Sequence, residues 1–102
     1  MRYINDDILV AVKKPSKLPV LQYIPNDTRS IQDIVGDPMK YINFQNDIMI
    51  VAYNNEGKPR DLPVNFEYNN DVIVGTCFFV GNIGGFSSLT EEQIGTVLNK
   101  FG

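Results

Sequence analysis

Apolar residues from Ile8 to Val80 come in short runs, either alternating with polar residues or unbroken, and only after Leu89 do they settle into a helical period. That pattern predicts strands through most of the chain and one amphipathic helix at its end. Ile8–Val12 is a first apolar run. Pro19–Ile24 is a second, in which Val20, Gln22 and Ile24 face opposite Leu21 and Tyr23. The intervening Lys13-Lys14-Pro15-Ser16-Lys17 makes the two an opening hairpin. Pro19 and Pro25 suit an edge strand, because proline cannot donate to a ladder. Asp27 or Thr28 then caps a short helix over Arg29–Gly36, whose Ile31, Ile34 and Val35 share one face and whose Gly36 ends it. So short a helix depends on packing.

Met39–Phe44 alternates again, and Gln45-Asn46-Asp47 is a polar turn into Ile48–Tyr53. With no polar member, Ile48–Tyr53 belongs in the middle of the sheet, covered on both faces. Asn54-Asn55-Glu56-Gly57 reads as a turn with Gly57 at a positive φ. Lys58–Asn70, with two prolines and clustered amides, reads as a partly ordered loop. Asp71–Val80 reads as one further central strand, which Gly75 either bulges or opens to a close neighbour. Thr90 and Gln93 fit a capping box and Leu89 and Ile94 a hydrophobic staple; Ile94, Val97, Leu98 and Phe101 follow at helical spacing, with Gly95 the one weak point. The expected fold is α+β over residues 1–102 as a single domain: a mainly antiparallel sheet of about five strands covered on one face, a short helix after the first hairpin, and a C-terminal amphipathic helix.

Composition narrows the function. The 102 residues are 43% hydrophobic, carry a net charge of -3, and include one cysteine and no histidine. A small core is affordable, and a mildly acidic surface argues against nucleic acid and against anionic membrane as partners. The opening Met1–Asp7 lacks the apolar core of a signal peptide and no apolar run approaches the length of a membrane span, so the expected location is cytoplasmic. One cysteine, Cys77, inside a strand pattern, permits neither an internal disulfide nor a zinc quartet, and reads as a small buried residue. Without histidine there is no Ser-His or Cys-His pair, so neither catalytic residues nor a metal or cofactor are expected.

Candidate binding residues remain. Lys58 and Arg60 stand among amides on a segment stiffened by Pro59 and Pro63, which puts hydrogen-bond donors where an acidic patch or a small anion could meet them. Asn55 and Asn65 bound that loop. Gly81-Asn82-Ile83-Gly84-Gly85-Phe86 lies between a strand and the last helix; it has neither the lysine nor the glycine spacing of a phosphate loop and reads as a connection, with Phe86 at its end. Glu91 and Glu92 fall in the first helical turn, where they meet the helix dipole. Lys13, Lys14 and Lys17 read as charges that guard a sheet edge, and Tyr3, Tyr23, Tyr41, Tyr53 and Tyr68 as half-buried strand residues of which one or two serve in binding.

Several of these segments, in this order, resemble a family known as domain of unknown function 3846: Ile8–Val12 with Pro15 and Pro19; Ser30–Gly36; Asn55-Glu56-Gly57-Lys58 with Leu62-Pro63 and Asn65; Gly75-Thr76; and Phe86–Ile94. The family pattern places an arginine directly after the asparagine, where this chain has Phe66. The resemblance implies a phage- or plasmid-borne origin in Gram-positive bacteria and no established activity. By analogy with accessory proteins of such elements, the first expectation is a non-catalytic protein that binds and blocks a host protein, such as a defence component, through a tyrosine-rich patch or the Asn55–Asn65 loop. The alternative is a homo-oligomer that sequesters a small nucleotide-like anion in a concave site built from Lys58, Arg60, Asn65 and the Gly81–Phe86 segment.

Overall fold

The computed structural model describes residues 7–44 and 48–101; the expected turn at Gln45-Asn46-Asp47, and Tyr3, lie outside the described residues. In chain order the elements are β1 (Asp7–Lys13), β2 (Val20–Pro25), α1 (Thr28–Val35), β3 (Met39–Phe44), β4 (Met49–Asn54), β5 (Val64–Tyr68), β6 (Asp71–Val74), β7 (Cys77–Asn82), β8 (Phe86–Ser87) and α2 (Glu91–Phe101). The fold is α+β, and the strand pairings are antiparallel. The main sheet runs β2-β1-β7-β4-β3, with β8 added beside β7, while β5 and β6 form a separate two-stranded ribbon. The opening hairpin, the edge position of β2 and the interior position of β4 follow the sequence pattern.

The strand count exceeds five for two physical reasons. Asp71–Val80 is not one strand: Gly75 adopts φ +75°, and at Gly75-Thr76 the chain leaves the ribbon strand β6 and enters the main-sheet strand β7. Gly75 is also closely approached, since a Cβ there would lie 2.8 Å from Leu62 Cδ1. Lys58–Asn70, read as a loop, contains β5, whose Val64, Phe66 and Tyr68 are spaced two apart and pair across β6 with a register shift between Val64 and Phe66. The short β8 completes a tight hairpin with β7, pairing Ser87 with Gly81 and Phe86 with Asn82. Gly57 does not serve through a positive φ; it serves through space, because a Cβ there would fall 2.4 Å from Val74 Cγ2.

The main sheet is covered on both faces, not one. Ile8, Val10, Val12, Ile50, Ala52, Phe78 and Val80 point to one side, where Ile31 and Val35 of α1 close over them. Ala11, Met49, Val51, Cys77 and Phe79 point to the other, where they meet Val97 of α2 and Ile73, with Phe66 and Tyr68 of the ribbon packed against them. Consecutive large apolar residues such as Phe78-Phe79 place one ring on each face, and both faces must then be buried. Fully burying a side chain of that size stabilises the fold by roughly 1.5–3 kcal/mol.

Both helices start, and α1 also stops, where the sequence predicts. Asp27 is the N-cap of α1: its side chain accepts from the Ser30 amide at 2.8 Å. Gly36, at φ +86°, closes the helix by donating to Gln32 O. The capping box of α2 forms in both directions, Thr90 N–H to Gln93 Oε1 at 3.0 Å and Gln93 N–H to Thr90 Oγ1 at 3.1 Å. Gln93 is itself buried and donates through Nε2 to Ile48 O at 2.8 Å, which ties the helix start to the sheet. Of the expected helix face, Val97 is buried, Ile94 and Phe101 are half-buried, and Leu98 is exposed. Among the described residues no helix is long and apolar enough to cross a membrane.

Candidate functional site

A cleft of about 380 Å³ opens where the β5–β6 ribbon leans over the β3–β4 end of the main sheet. Strand pairing places its walls. Lys40 lies opposite Tyr53 across β3 and β4, and Tyr68 opposite Asp71 across the ribbon, so two aromatic rings and their hydroxyls line one space. Asn55 and Lys58 arrive from the turn that follows β4, and Asn69 from the ribbon tip. The turn is held by Asn54, a buried amide that donates to Val35 O at 3.1 Å and accepts from Glu56 N–H at 2.7 Å.

The electrostatics of the cleft are mixed. Lys58 Nζ donates to Asp71 Oδ1, which also accepts from the Val72 amide. The Lys58 ammonium first, then that amide, hold the Asp71 carboxyl below the usual carboxylate range, with Lys40 adding to the field. Burial pushes the Tyr53 hydroxyl up, and the nearby Asp71 charge pushes it the same way, so Tyr53 stays a neutral donor across the physiological range. Among the described residues the Lys40 ammonium has no side-chain hydrogen bond or ion pair, while its backbone belongs to the β3–β4 ladder. The cleft thus holds two ammonium groups against one carboxylate, with two phenol hydroxyls and several amides around them.

The five residues expected to bind are not brought together. Asn55 and Lys58 line the cleft. Arg60 is turned to solvent and pairs with Glu56 at 3.0 Å, one helical turn away in sequence, an exposed contact of little energetic weight. Phe86 lies on the opposite face of the main sheet, edge-on to Tyr41 at 5.4 Å and to Phe78 at 6.3 Å. Asn65, on β5 of the ribbon, is a clamp. Its Nδ2 donates to Lys13 O and Gly75 O at 2.8 Å each, and its Oδ1 accepts from Lys13 Nζ at 2.7 Å. One amide side chain therefore joins the ribbon to β1.

Lys13 corrects a second expectation. It is only 6% exposed and guards no edge; β1 is an interior strand, and the ammonium lies 5.2 Å from the centre of the Phe101 ring. Lys14 and Lys17 remain at the surface. Phe66, at the position where the family pattern has arginine, packs against Phe44, Phe79 and Phe101 in the core. Cys77 is buried, and burial pushes its thiol up to about 12 against the opposing field of Lys13, so it is not a nucleophile near neutral pH. The four described tyrosines form no common surface patch: Tyr23 and Tyr41 are exposed on the two opposite edge strands, while Tyr53 and Tyr68 meet in the cleft. Sequence reasoning misses Lys40 and Asp71 as cleft residues and names Tyr68 only as one of five tyrosines, because their convergence requires the β5–β6 ribbon.

The family model described as domain of unknown function (DUF3846) matches residues 8–102. No curated protein matches the chain, and no solved structure does.

Proposed function

We propose a function from geometry, because the chain belongs to the domain of unknown function 3846 family, whose description names no activity: the domain is a non-catalytic binding protein whose inter-sheet cleft holds a small nucleotide-like anion. The observation that carries this reading is the convergence of Lys40, Lys58, Tyr53 and Tyr68 on one concave space. Two ammonium groups suit a phosphate, the phenol rings offer aromatic surface to a planar group, and Asp71 and the amides supply partners for hydroxyls. Catalysis has little to stand on, since the chain has no histidine and its one thiol is buried and protonated.

Blocking of a host protein by a mobile-element accessory protein is the competing reading, and one experiment separates them. The protein is purified from its producing host and its mass measured under native conditions, and adenosine 5′-monophosphate is then titrated calorimetrically into the protein and into a Lys40→Ala/Lys58→Ala variant. A retained small molecule, or nucleotide binding weakened at least about tenfold in the variant, which is about 1.4 kcal/mol, supports the cleft. A bare mass with no heat of binding, together with a captured host polypeptide, overturns it. Inorganic phosphate alone as titrant tells whether the anion or the planar group dominates.

A further inference from the structure

Among the described residues no strand pairs with the outer edge of β2; we propose that this edge is a homodimer interface, where β2 pairs antiparallel with β2 of a second copy about a two-fold axis through Gln22 and the main sheet continues across both chains.

The direction of the backbone groups follows from two hydrogen bonds. Leu9 N–H donates to Ser88 Oγ, and Leu9 O accepts from Leu89 N–H, so both polar groups of Leu9 point away from β2. Antiparallel partners face each other or turn away together. Tyr23, opposite Leu9, and Leu21, opposite Ala11, therefore present their N–H and C=O groups to the open side. The next positions in the same alternation are Pro19 and Pro25, which have no N–H to offer. Exactly the stretch between two prolines is left as a template, and it is short and apolar: Val20 is 62% exposed and Tyr23 66%.

The stretch is self-complementary. A two-fold axis at Gln22 sets Leu21 against Tyr23 of the other copy in two equivalent hydrogen-bonded pairs, satisfying every outward N–H between the prolines. It also carries the Lys14 and Lys17 end of one chain alongside the Asp27 end of the other. Asp27 stays ionised there, because the Ser30 amide and hydroxyl hold its carboxyl below the ordinary range. Opposite charges meet at both ends, whereas a parallel arrangement would stack like on like. An edge with exposed apolar residues and unpaired backbone groups is the surface that sheet pairing uses.

A ladder this short lies below the standard interface size, so the dimer is expected to form with a dissociation constant of about 10–100 μM. Sedimentation across a concentration series then shows the mass rising from 11.5 kDa toward twice that value and stopping there. Tyr23→Pro removes an outward N–H without touching the β1 ladder, and is expected to leave a folded monomer at every concentration. Disulfide trapping tests the axis itself. Gln22 faces its own symmetry mate in a non-hydrogen-bonded pair, where Cα atoms are about 4.5 Å apart, within the range a disulfide spans. Mild oxidation of Gln22→Cys is expected to give a covalent dimer, while Val20→Cys, placed opposite Ile24, gives none. A wild-type chain that stays monomeric to about 1 mM, association untouched by Tyr23→Pro, growth beyond a dimer through the β3 edge, or equal cross-linking at both cysteine positions would each overturn the proposal.

Discussion

Replacing Asn65 by alanine tests the reading that this amide is a clamp between the two sheets and not a ligand-binding group. The variant loses donation to the Lys13 and Gly75 carbonyls and acceptance from the Lys13 ammonium. Two neutral bonds at about 1 kcal/mol each and one to a charged group at about 1.5–3 kcal/mol give a destabilisation of about 4 kcal/mol. Lys13 is buried, so water cannot simply replace the lost acceptor. That loss is a large share of the roughly 5–15 kcal/mol of a whole domain and corresponds to a fall in Tm of about 15 °C or more. Urea unfolding followed by circular dichroism reads it directly. Adding Lys13→Met to Asn65→Ala should recover about 1–2 kcal/mol, because the unpaired ammonium is then gone. A cost below about 1 kcal/mol for the single variant, or no recovery in the double, would refute the clamp.

Four further outcomes follow from the same structure. Cys77 should resist iodoacetamide at about pH 8 in the folded protein and react readily in urea. Because its folded pKa is raised from 9.0 to about 12, the unfolded chain gives up the proton first; the thiol's contribution to stability is complete below pH 9 and is lost as pH rises toward 12, which a pH series of unfolding curves on wild type and Cys77→Ala would show. Gly95→Ala should stabilise by about 0.5–1 kcal/mol, since a Cβ there meets nothing within 4 Å and the site is inside α2. Gly75→Ala should destabilise by about 1–3 kcal/mol, because it adds a Cβ at φ +75° against Leu62.

Much of the frame was legible before the structure. Asp27 with Gly36, and Thr90 with Gln93, are local signals whose partners lie within a few residues, and both helices appear where those signals put them. The apolar runs located β1, β2 and β4. The ribbon was not legible. Lys58–Asn70 carries prolines and amides that look like a loop, and what makes a strand of Val64–Tyr68 is non-local: the partner β6 and the rings of Phe44, Phe79 and Phe101 beneath Phe66. Once that ribbon was missed, Asp71–Val80 could only read as one strand. The candidate site suffered for the same reason. Lys58 and Asn55 were visible as donors on a stiff turn, but Asn65 belongs to the clamp, and Lys40 and Tyr68 are drawn to the cleft only by pairings that sequence spacing does not encode.

The claim that the inter-sheet cleft is a binding site is tested most directly by titrating adenosine 5′-monophosphate into isotopically labelled protein and following backbone amide resonances. The cleft reading predicts concentration-dependent shifts at Tyr53, Asn55, Lys58 and Asp71 through Val74, with Leu21 and Tyr23 on the far edge unmoved. Shifts confined to other surfaces, or no shift up to about 10 mM ligand, would contradict it.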